Sequence, residues 1–382
     1  MSPPSRGLRV LMTTDAVGGV WVFATALARE LCRRGDRVTL VTLGPRPQDH
    51  QLAAIRDVAG LDLEITDLAL EWMDPDGHDF SRALEHLATI EGRLRPDVVH
   101  LNGYREACGD WTAPVLVSAH SCVRSWWRAC RGGEPSEPRW HRYIANVAAG
   151  LDRADAWVAP TSAFRDTVQA LYAPRRRGGV ILNGIDFAPA IVTKEPFILA
   201  AGRLWDEAKN LAALAAIASE LEWPVRVAGP LQSVDGARAH ERGIGRIEPL
   251  GPLPRSQLLE QMRRAAVFAA PALYEPFGLT VLEAAAAGCA LVLSDIASFR
   301  ELWAGAAIMV DPLNNRAIRN ALRSLCRDAS LRDAFRLASA RRAARYPLAA
   351  MAEAYRATYA GTCERAPSLQ WASEFDPAEA RA

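Results

Sequence analysis

Phe197-Ile198-Leu199-Ala200-Ala201-Gly202-Arg203-Leu204-Trp205-Asp206-Glu207-Ala208-Lys209-Asn210 decides how this chain is read. Five apolar residues predict a buried strand, a glycine turns the chain, and a helix is expected beyond Asn210. The stretch stands halfway along 382 residues and restarts a pattern that the first half already carries. Before it, strands are predicted at Leu8–Thr13, Val38–Leu43, Leu61–Ile65, Val98–Leu101, Val115–Ala119, Ala156–Ala159 and Val180–Leu182. Helices are predicted between them at Val20–Arg33, Phe80–Leu94, Arg139–Asp152 and Ser162–Tyr172. After it come strands at Val225–Ala228, Ile247–Leu250, Val267–Ala270, Ala290–Ser294 and Ala307–Val310. Short apolar runs parted by helices imply parallel strands joined by right-handed crossovers. The expected class is α/β: two doubly wound Rossmann-like domains, residues 1–186 and 197–345, facing each other across a cleft and joined by a linker over 187–196. A last helix is expected within 346–366, around Leu348–Tyr359, and a polar tail over 367–382.

Composition narrows the function. The chain is 50% hydrophobic and 23% charged, which is globular usage. Forty-five basic against 44 acidic side chains leave a net charge of +1, too little to hold nucleic acid by phosphate neutralisation. No run of apolar residues is long enough to span a bilayer, and the first apolar stretch is too short for a signal peptide, so a soluble, cytoplasmic protein is expected. Seven scattered cysteines without a Cys-x-x-Cys pair suggest reduced thiols and neither a disulfide framework nor a structural zinc site. His120, Cys122 and Cys130 fit no standard metal spacing, and no metal is expected. Only Lys194 and Lys209 are lysines, the other basic residues being arginine. With abundant alanine this suggests a GC-rich bacterial genome, and it makes each lysine a less casual choice.

Ligands of doubly wound sheets bind outside the carboxyl ends of the strands, so those ends hold the candidates. After the first strand, Gly18-Gly19 before a helix suits either an anion taken on free amides or a purely structural turn. The pattern is not Gly-x-Gly-x-x-Gly, which counts against a dinucleotide site. After Phe197–Ala201, Arg203 offers a planar fork of donors and Lys209 a compact charge, as a departing diphosphate requires. After Val267–Ala270 comes Tyr274-Glu275-Pro276-Phe277-Gly278-Leu279-Thr280-Val281-Leu282-Glu283. A helix is expected to begin near Gly278 with its free amides exposed. Glu275 and Glu283 each suit a pair of vicinal hydroxyls; the plainer reading makes Glu275 a loop charge and Glu283 the partner of an arginine. His120 follows the strand Val115–Ala119 and is either a hydrogen-bond donor to a sugar or a core histidine. Arg316, Arg319, Arg323 and Arg327 share one helix face, either solvated or a patch for an anionic surface.

Gly18-Gly19, Gly202-Arg203 with Lys209-Asn210, and Glu275-Pro-Phe-Gly-Leu with Glu283 together resemble the retaining glycosyltransferases of family 4, which have the GT-B fold. The resemblance spans residues 8 to 360, and Asn183-Gly-Ile-Asp186 resembles the segment preceding the second domain. It implies metal-independent sugar transfer from a nucleotide-diphosphate donor, UDP- or GDP-linked, with retention of configuration and no cofactor. Arg203 and Lys209 would bind the diphosphate, Glu283 the ribose and Glu275 the donor sugar. The backbone around Phe277, Gly278 and Leu279 would support sugar or phosphate. Gly18 and Gly19 would close on the donor from the other domain, and His120 would touch the sugar near its reacting carbon. The last helix would return to the first domain.

The same fold also hosts nucleotide-sugar epimerases, glycan phosphorylases and catalytically idle binding homologues. A phosphorylase needs a lysine-bound cofactor, for which two lysines leave few options, and an idle homologue has no need of all four charged residues. For the acceptor, the candidates are Asp15, Arg124, Trp126 and Trp127. The stretch Val123-Arg124-Ser125-Trp126-Trp127-Arg128 is read as a loop beside His120 whose tryptophans stack an acceptor ring, sit at a membrane interface or pack in the core. Six residues with two arginines make a thin membrane anchor, so a soluble or polar acceptor is expected over a lipid.

Overall fold

Valine, leucine and isoleucine fill the buried runs of both halves, and every such run pairs with parallel neighbours. The computed structural model describes residues 7–186, 193–230 and 247–363, which divide into two units. The first holds 7–128, 133–184 and 348–363; the second holds 129–132, 185–186, 193–230 and 247–347. Each is a parallel α/β sheet with helices, so the expected class holds for both.

Along the first half run β1 (Arg9–Asp15), α1 (Gly19–Arg33), β2 (Arg37–Leu43), α2 (Asp49–Ala53), β3 (Leu61–Ile65), α3 (Phe80–Leu94) and β4 (Val98–Leu101). Then come β5 (Val115–Ser118), α4 (Val123–Arg131), α5 (Pro138–Arg153), β6 (Ala156–Ala159), α6 (Ser162–Tyr172) and β7 (Gly179–Val180). Among the described residues the strand order is β3-β2-β1-β4-β5-β6-β7. The chain winds outward from β1 in one direction and from β4 in the other, which opens a crevice at their carboxyl ends.

The second half repeats the plan with β8 (Glu195–Ala201), α7 (Leu211–Ile217), β9 (Val225–Ala228), β10 (Glu248–Gly251), α8 (Arg255–Arg264) and β11 (Ala265–Ala270). It continues with α9 (Leu279–Ala286), β12 (Ala290–Ser294), α10 (Ala297–Trp303), β13 (Ile308–Val310), α11 (Asn315–Arg327) and α12 (Ala329–Ala343). The order β10-β9-β8-β11-β12-β13 puts its switch point between β8 and β11. Ile198, Ala200, Val227, Val267, Val292, Ile318 and Leu322 belong to one core on one side of this sheet.

The last helix, α13 (Leu348–Cys363), belongs to the first unit. Its Tyr359 hydroxyl lies 2.8 Å from His100 Nδ1 and its Tyr355 hydroxyl 3.0 Å from Ser118 Oγ, and His100 Nε2 lies 2.7 Å from that same Oγ. Burial pushes the His100 imidazole down to about 3, so this buried chain is neutral. At the helix surface Arg356 meets Asp36 at 2.9 Å and Arg34 pairs with Glu353.

Three expectations change. β8 opens at Glu195, inside the stretch read as linker, because Glu195 aligns with Ala265 and meets Arg264 at 2.6 Å. Residues 187–192 and the tail over 367–382 lie outside the described residues. Val123–Arg128 is no loop but the start of α4: Ser125 Oγ and the Trp126 amide both donate to Cys122 O, at 2.9 and 3.1 Å, and wind the chain at once. The arginine face of α11 is spent within its own unit, Arg319 on Glu220 and Arg323 and Arg327 on Glu222. With three of the four so paired and Arg316 left exposed, the reading of a patch for an anionic surface loses most of its charge.

Candidate active site

In the second unit the site is built where β8 and β11 part. Asn210 adopts the left-handed conformation (φ 50°), which asparagine tolerates, and its Nδ2 donates to Pro271 O at 2.9 Å and Pro312 O at 2.8 Å. The Leu273 amide donates to Ala208 O at 2.8 Å. These bonds tie the loop after β8 to the loop after β11. Across them Lys209 Nζ meets Glu275 Oε2 at 2.6 Å, both side chains half-buried. Arg203 lies in the same loop, its Nη2 2.6 Å from Asp206 Oδ2, while Asp206 Oδ1 accepts from the Ala208 amide at 3.0 Å.

Gly278 stands before α9 with φ 88°, and a Cβ there would lie 2.9 Å from the Phe299 ring, so the turn requires glycine twice over. Ser298 Oγ donates to Glu275 O and steadies the loop from the other side. The amides of Gly278, Leu279 and Thr280 donate to no acceptor among the described residues, which leaves the start of α9 able to take an anion. Phe277 contributes its backbone here, since its ring is buried and meets Tyr346 edge-on at 6.3 Å. One turn into α9, Glu283 is 3% exposed and pairs with Arg255 of α8 at 2.7 Å. Burial pushes its carboxyl up, against the pull of Arg255.

In the first unit a cleft of about 100 Å³ opens at the carboxyl ends of β1 and β4. Asp15 lines it, with its Oδ1 accepting from the Val17 amide at 2.8 Å. Gly18 caps α1 in an extended conformation (φ −161°) that any residue adopts, and exposed Gly19 is the first helical residue.

His120 also lines the cleft, with the Phe23 ring 4.5 Å from its own. Asn102 Nδ2 donates to Thr13 O at 2.6 Å, which turns Asn102 Oδ1 toward His120 Nε2 at 2.7 Å. Nε2 therefore carries the proton and donates it to Asn102, leaving Nδ1 as an acceptor. Burial pushes the ring down to about 4, so it stays neutral at physiological pH. The expected donor to a sugar is thus an acceptor.

Arg124, Trp126 and Trp127 do not line this cleft; only Val123 of that stretch does. Arg124 Nε is held by Glu134 at 2.7 Å, and its guanidinium lies over Tyr172. Trp126, Trp127, Trp140 and Tyr143 form a row of rings 5.9–6.4 Å apart between α4 and α5. The helix thus brings half-buried Trp126 and Trp127 into contact with rings of α5, away from the lining of this cleft.

Sequence reasoning passed over Arg255 and Asp206 in the second unit and Asn102, Glu71, Arg105 and Glu106 in the first. Asn102 follows β4 directly, so the strand-end rule that found His120 reaches it too. Glu71 is buried between Leu70 and Trp72. A carboxylate in such a setting needs partners, the argument already applied to Glu283.

Residues 17–188 match a family model described as Glycosyltransferase Family 4, and residues 184–342 one described as Glycosyl transferases group 1. The glycogen synthase of Mycobacterium tuberculosis is 29% identical over 257 residues, 61% of this chain and 60% of that protein, so the chain spans about 60% of that relative's length. The D-inositol 3-phosphate glycosyltransferase of Kineococcus radiotolerans is 25% identical over 396 residues, 89% of this chain and 90% of that one. The solved sucrose-phosphate synthase of Thermosynechococcus elongatus has a TM-score of 0.76 at 17% identity, over 93% of this chain and 100% of that one. Anabaena HepE in complex with UDP-glucose has a TM-score of 0.71 at 13% identity, with the same coverage, 93% and 100%. The two family models together span both Rossmann-like units, and the chain belongs to the family 4 glycosyltransferases on the GT-B fold.

Proposed function

We propose that the protein transfers a sugar from a nucleotide-diphosphate donor to a hydroxyl acceptor, with retention of configuration and without a metal ion. The observation that carries this reading is the Lys209–Glu275 pair, held at 2.6 Å between the β8 and β11 loops beside Arg203 and the open amides of α9. A diphosphate offers these cations a better partner than their own carboxylates. Lys209 and Arg203 move onto phosphate oxygens, where charge grows as the glycosidic bond breaks, and Glu275 is freed for hydroxyls of the sugar. Glu283 serves the ribose, and the amides of Gly278 and Leu279 serve phosphate or sugar. In the first unit, His120 accepts from a sugar hydroxyl through Nδ1, and Gly18 and Gly19 serve the donor through backbone amides. That HepE was solved with UDP-glucose supports a nucleotide-sugar donor. A lysine-bound cofactor is poorly served here: Lys194 Nζ donates to Ala287 O at 2.6 Å and Met262 O at 3.1 Å, and Lys209 is bound to Glu275.

Thermal melting with UDP, GDP, ADP and their glucose conjugates tests the donor reading. A ligand at 100 times its Kd stabilises by about 2.7 kcal/mol, a rise of a few degrees in Tm. Transfer measured with the stabilising donor is expected to persist in EDTA. Activity lost on chelation and restored by magnesium or manganese overturns the metal-free part, and no shift with any nucleotide overturns the donor part.

A further inference from the structure

The cleft of the first unit holds a carboxyl pair that the proposed transfer does not use. Glu71 Oε2 accepts from the amides of Tyr104 at 3.1 Å and Arg105 at 3.0 Å, and Glu106 Oε1 accepts from Arg105 Nε at 2.9 Å. The other oxygens, Glu71 Oε1 and Glu106 Oε2, meet no donor among the described residues. They converge on Gly103: a Cβ there would stand 3.0 Å from Glu106 Oε2 and 3.9 Å from Glu71 Oε1. The missing side chain leaves room of hydroxyl size at the cleft wall.

The surrounding charge decides what fits. Among the described residues, no lysine or arginine lines the cleft. Arg105, the nearest cation, is 1% exposed and already spent on Glu106, on Asp74 Oδ2 at 2.9 Å and on Ala69 O at 2.8 Å. His120 is neutral and gives its proton to Asn102. A phosphate here would face Glu71 and Glu106 with no cation among the described lining residues to answer it. Trp72 lines the same cleft and is 36% exposed, which gives the apolar face of a sugar or polyol ring something to stack on.

Resting on the reading of the protein as a glycosyltransferase, we propose that this cleft is the acceptor site and that it selects an uncharged polyhydroxylated ring. Glu71 and Glu106 take vicinal hydroxyls, Trp72 takes the ring face, and phosphorylated acceptors are rejected. Burial, and then Glu106, push the Glu71 carboxyl up to about 7, so near neutrality Glu71 can donate to a hydroxyl as well as accept from one.

Saturation-transfer NMR on the full chain tests this with matched probes: glucose against glucose 6-phosphate, and myo-inositol against inositol 3-phosphate, at pH 7.5. The expected result is that a neutral member binds at least 10-fold more tightly than its phosphate. Glu71→Gln and Glu106→Gln should weaken that binding at least 10-fold, and Trp72→Ala, with its fold checked by circular dichroism, at least 5-fold. Equal or tighter binding of the phosphorylated member overturns the proposal on wild-type protein alone. So does a neutral ligand whose binding all three variants retain, or no binding by either neutral probe. The nucleotide melting series runs in parallel: a nucleotide shift with failed acceptor discrimination sinks this inference and spares the transferase reading, while loss of the shift sinks the transferase reading itself.

Discussion

At the carboxyl edge of the second sheet, each charged group of interest already faces its opposite: Lys209 has Glu275, Arg203 has Asp206, and Glu283 has Arg255. At the same edge of the first sheet, Glu71 and Glu106 crowd around one arginine, and each leaves an oxygen over. Two copies of one topology thus treat charge in opposite ways. Ion pairs at a partly exposed site are worth little by themselves, so exchanging a carboxylate for a diphosphate costs little. Two carboxyls around one buried arginine have no cation to hand over to a phosphate, and their remaining oxygens suit hydrogen bonds with neutral groups. The difference separates a surface suited to an anion from one suited to hydroxyls.

The comparison breaks most visibly at Lys209. Lys209→Ala removes the compact cation that can follow the leaving phosphate, and turnover should fall about 10²-fold or more with the fold intact. The variant's circular dichroism should match the wild type. If turnover drops less than threefold, the Lys209–Glu275 pair is structural, and the two edges differ only in how they are packed.

Glu283 gives the next largest effect. A hydrogen bond to a charged group contributes about 1.5–3 kcal/mol. Glu283→Gln should therefore weaken the nucleotide diphosphate by roughly 10- to 100-fold in calorimetry. Glu275→Gln should leave the bare nucleotide within about threefold and impair only the complete donor. Equal affinity of both variants and the wild type for the nucleotide would falsify the assignment of Glu283 to the ribose.

These residues were legible for a physical reason. Inner parallel strands are written as mostly apolar runs and the edge strand Leu61–Ile65 as an apolar–acidic alternation, so Leu61–Ile65, Val98–Leu101, Ala156–Ala159, Val225–Ala228 and Ala290–Ser294 are read to the residue. Once strands are placed, their carboxyl ends point to Arg203, Lys209, Glu275 and His120. What stays hidden is pairing across distance. Arg255 meets Glu283 from 28 residues away, and Glu71 meets the amides of Tyr104 and Arg105 from 33 and 34. No local pattern announces such partners. Trp126 and Trp127 were misread for the opposite reason: nine residues are too few to display a helical period, so a short amphipathic helix passes for a loop.

The unanswered carboxyls should also appear in the stability of the first unit. Glu71 faces Glu106 and Arg105, accepts from the Tyr104 amide and has the Tyr143 hydroxyl near it, and its carboxyl is raised from about 4.5 to about 7. A raised folded-state value means that the protonated form stabilises the fold: the contribution is complete below about pH 4.5 and is lost as pH rises through 7. His120 has the opposite sign, lowered from 6.5 to about 4, so its contribution is present above 6.5 and lost as pH falls through 4. Glu71→Gln carries no proton to lose and isolates the first effect. The Tm of wild type minus that of Glu71→Gln should fall by about 3 °C or more between pH 5 and pH 8. A difference that is flat or rises with pH means that Glu71 is ionised throughout, and the contrast between the two edges would then rest on geometry alone.

The smallest effect separates the units. Tyr359 supplies the hydroxyl on His100 Nδ1 at 2.8 Å, and both residues are buried in the first unit. Tyr359→Phe removes that hydroxyl without opening a cavity and leaves one nitrogen of a buried neutral imidazole without a partner. The cost should be about 1–2 kcal/mol, or a fall of a few degrees in Tm. The lost bond lies within one sheet and its returning helix, so nucleotide affinity, assigned by the proposed function to Arg203, Lys209 and Glu283 on the other sheet, should change less than twofold. A larger loss of nucleotide binding would mean that the seating of α13 reaches the anion-binding edge, and the two edges could no longer be treated as independent sites.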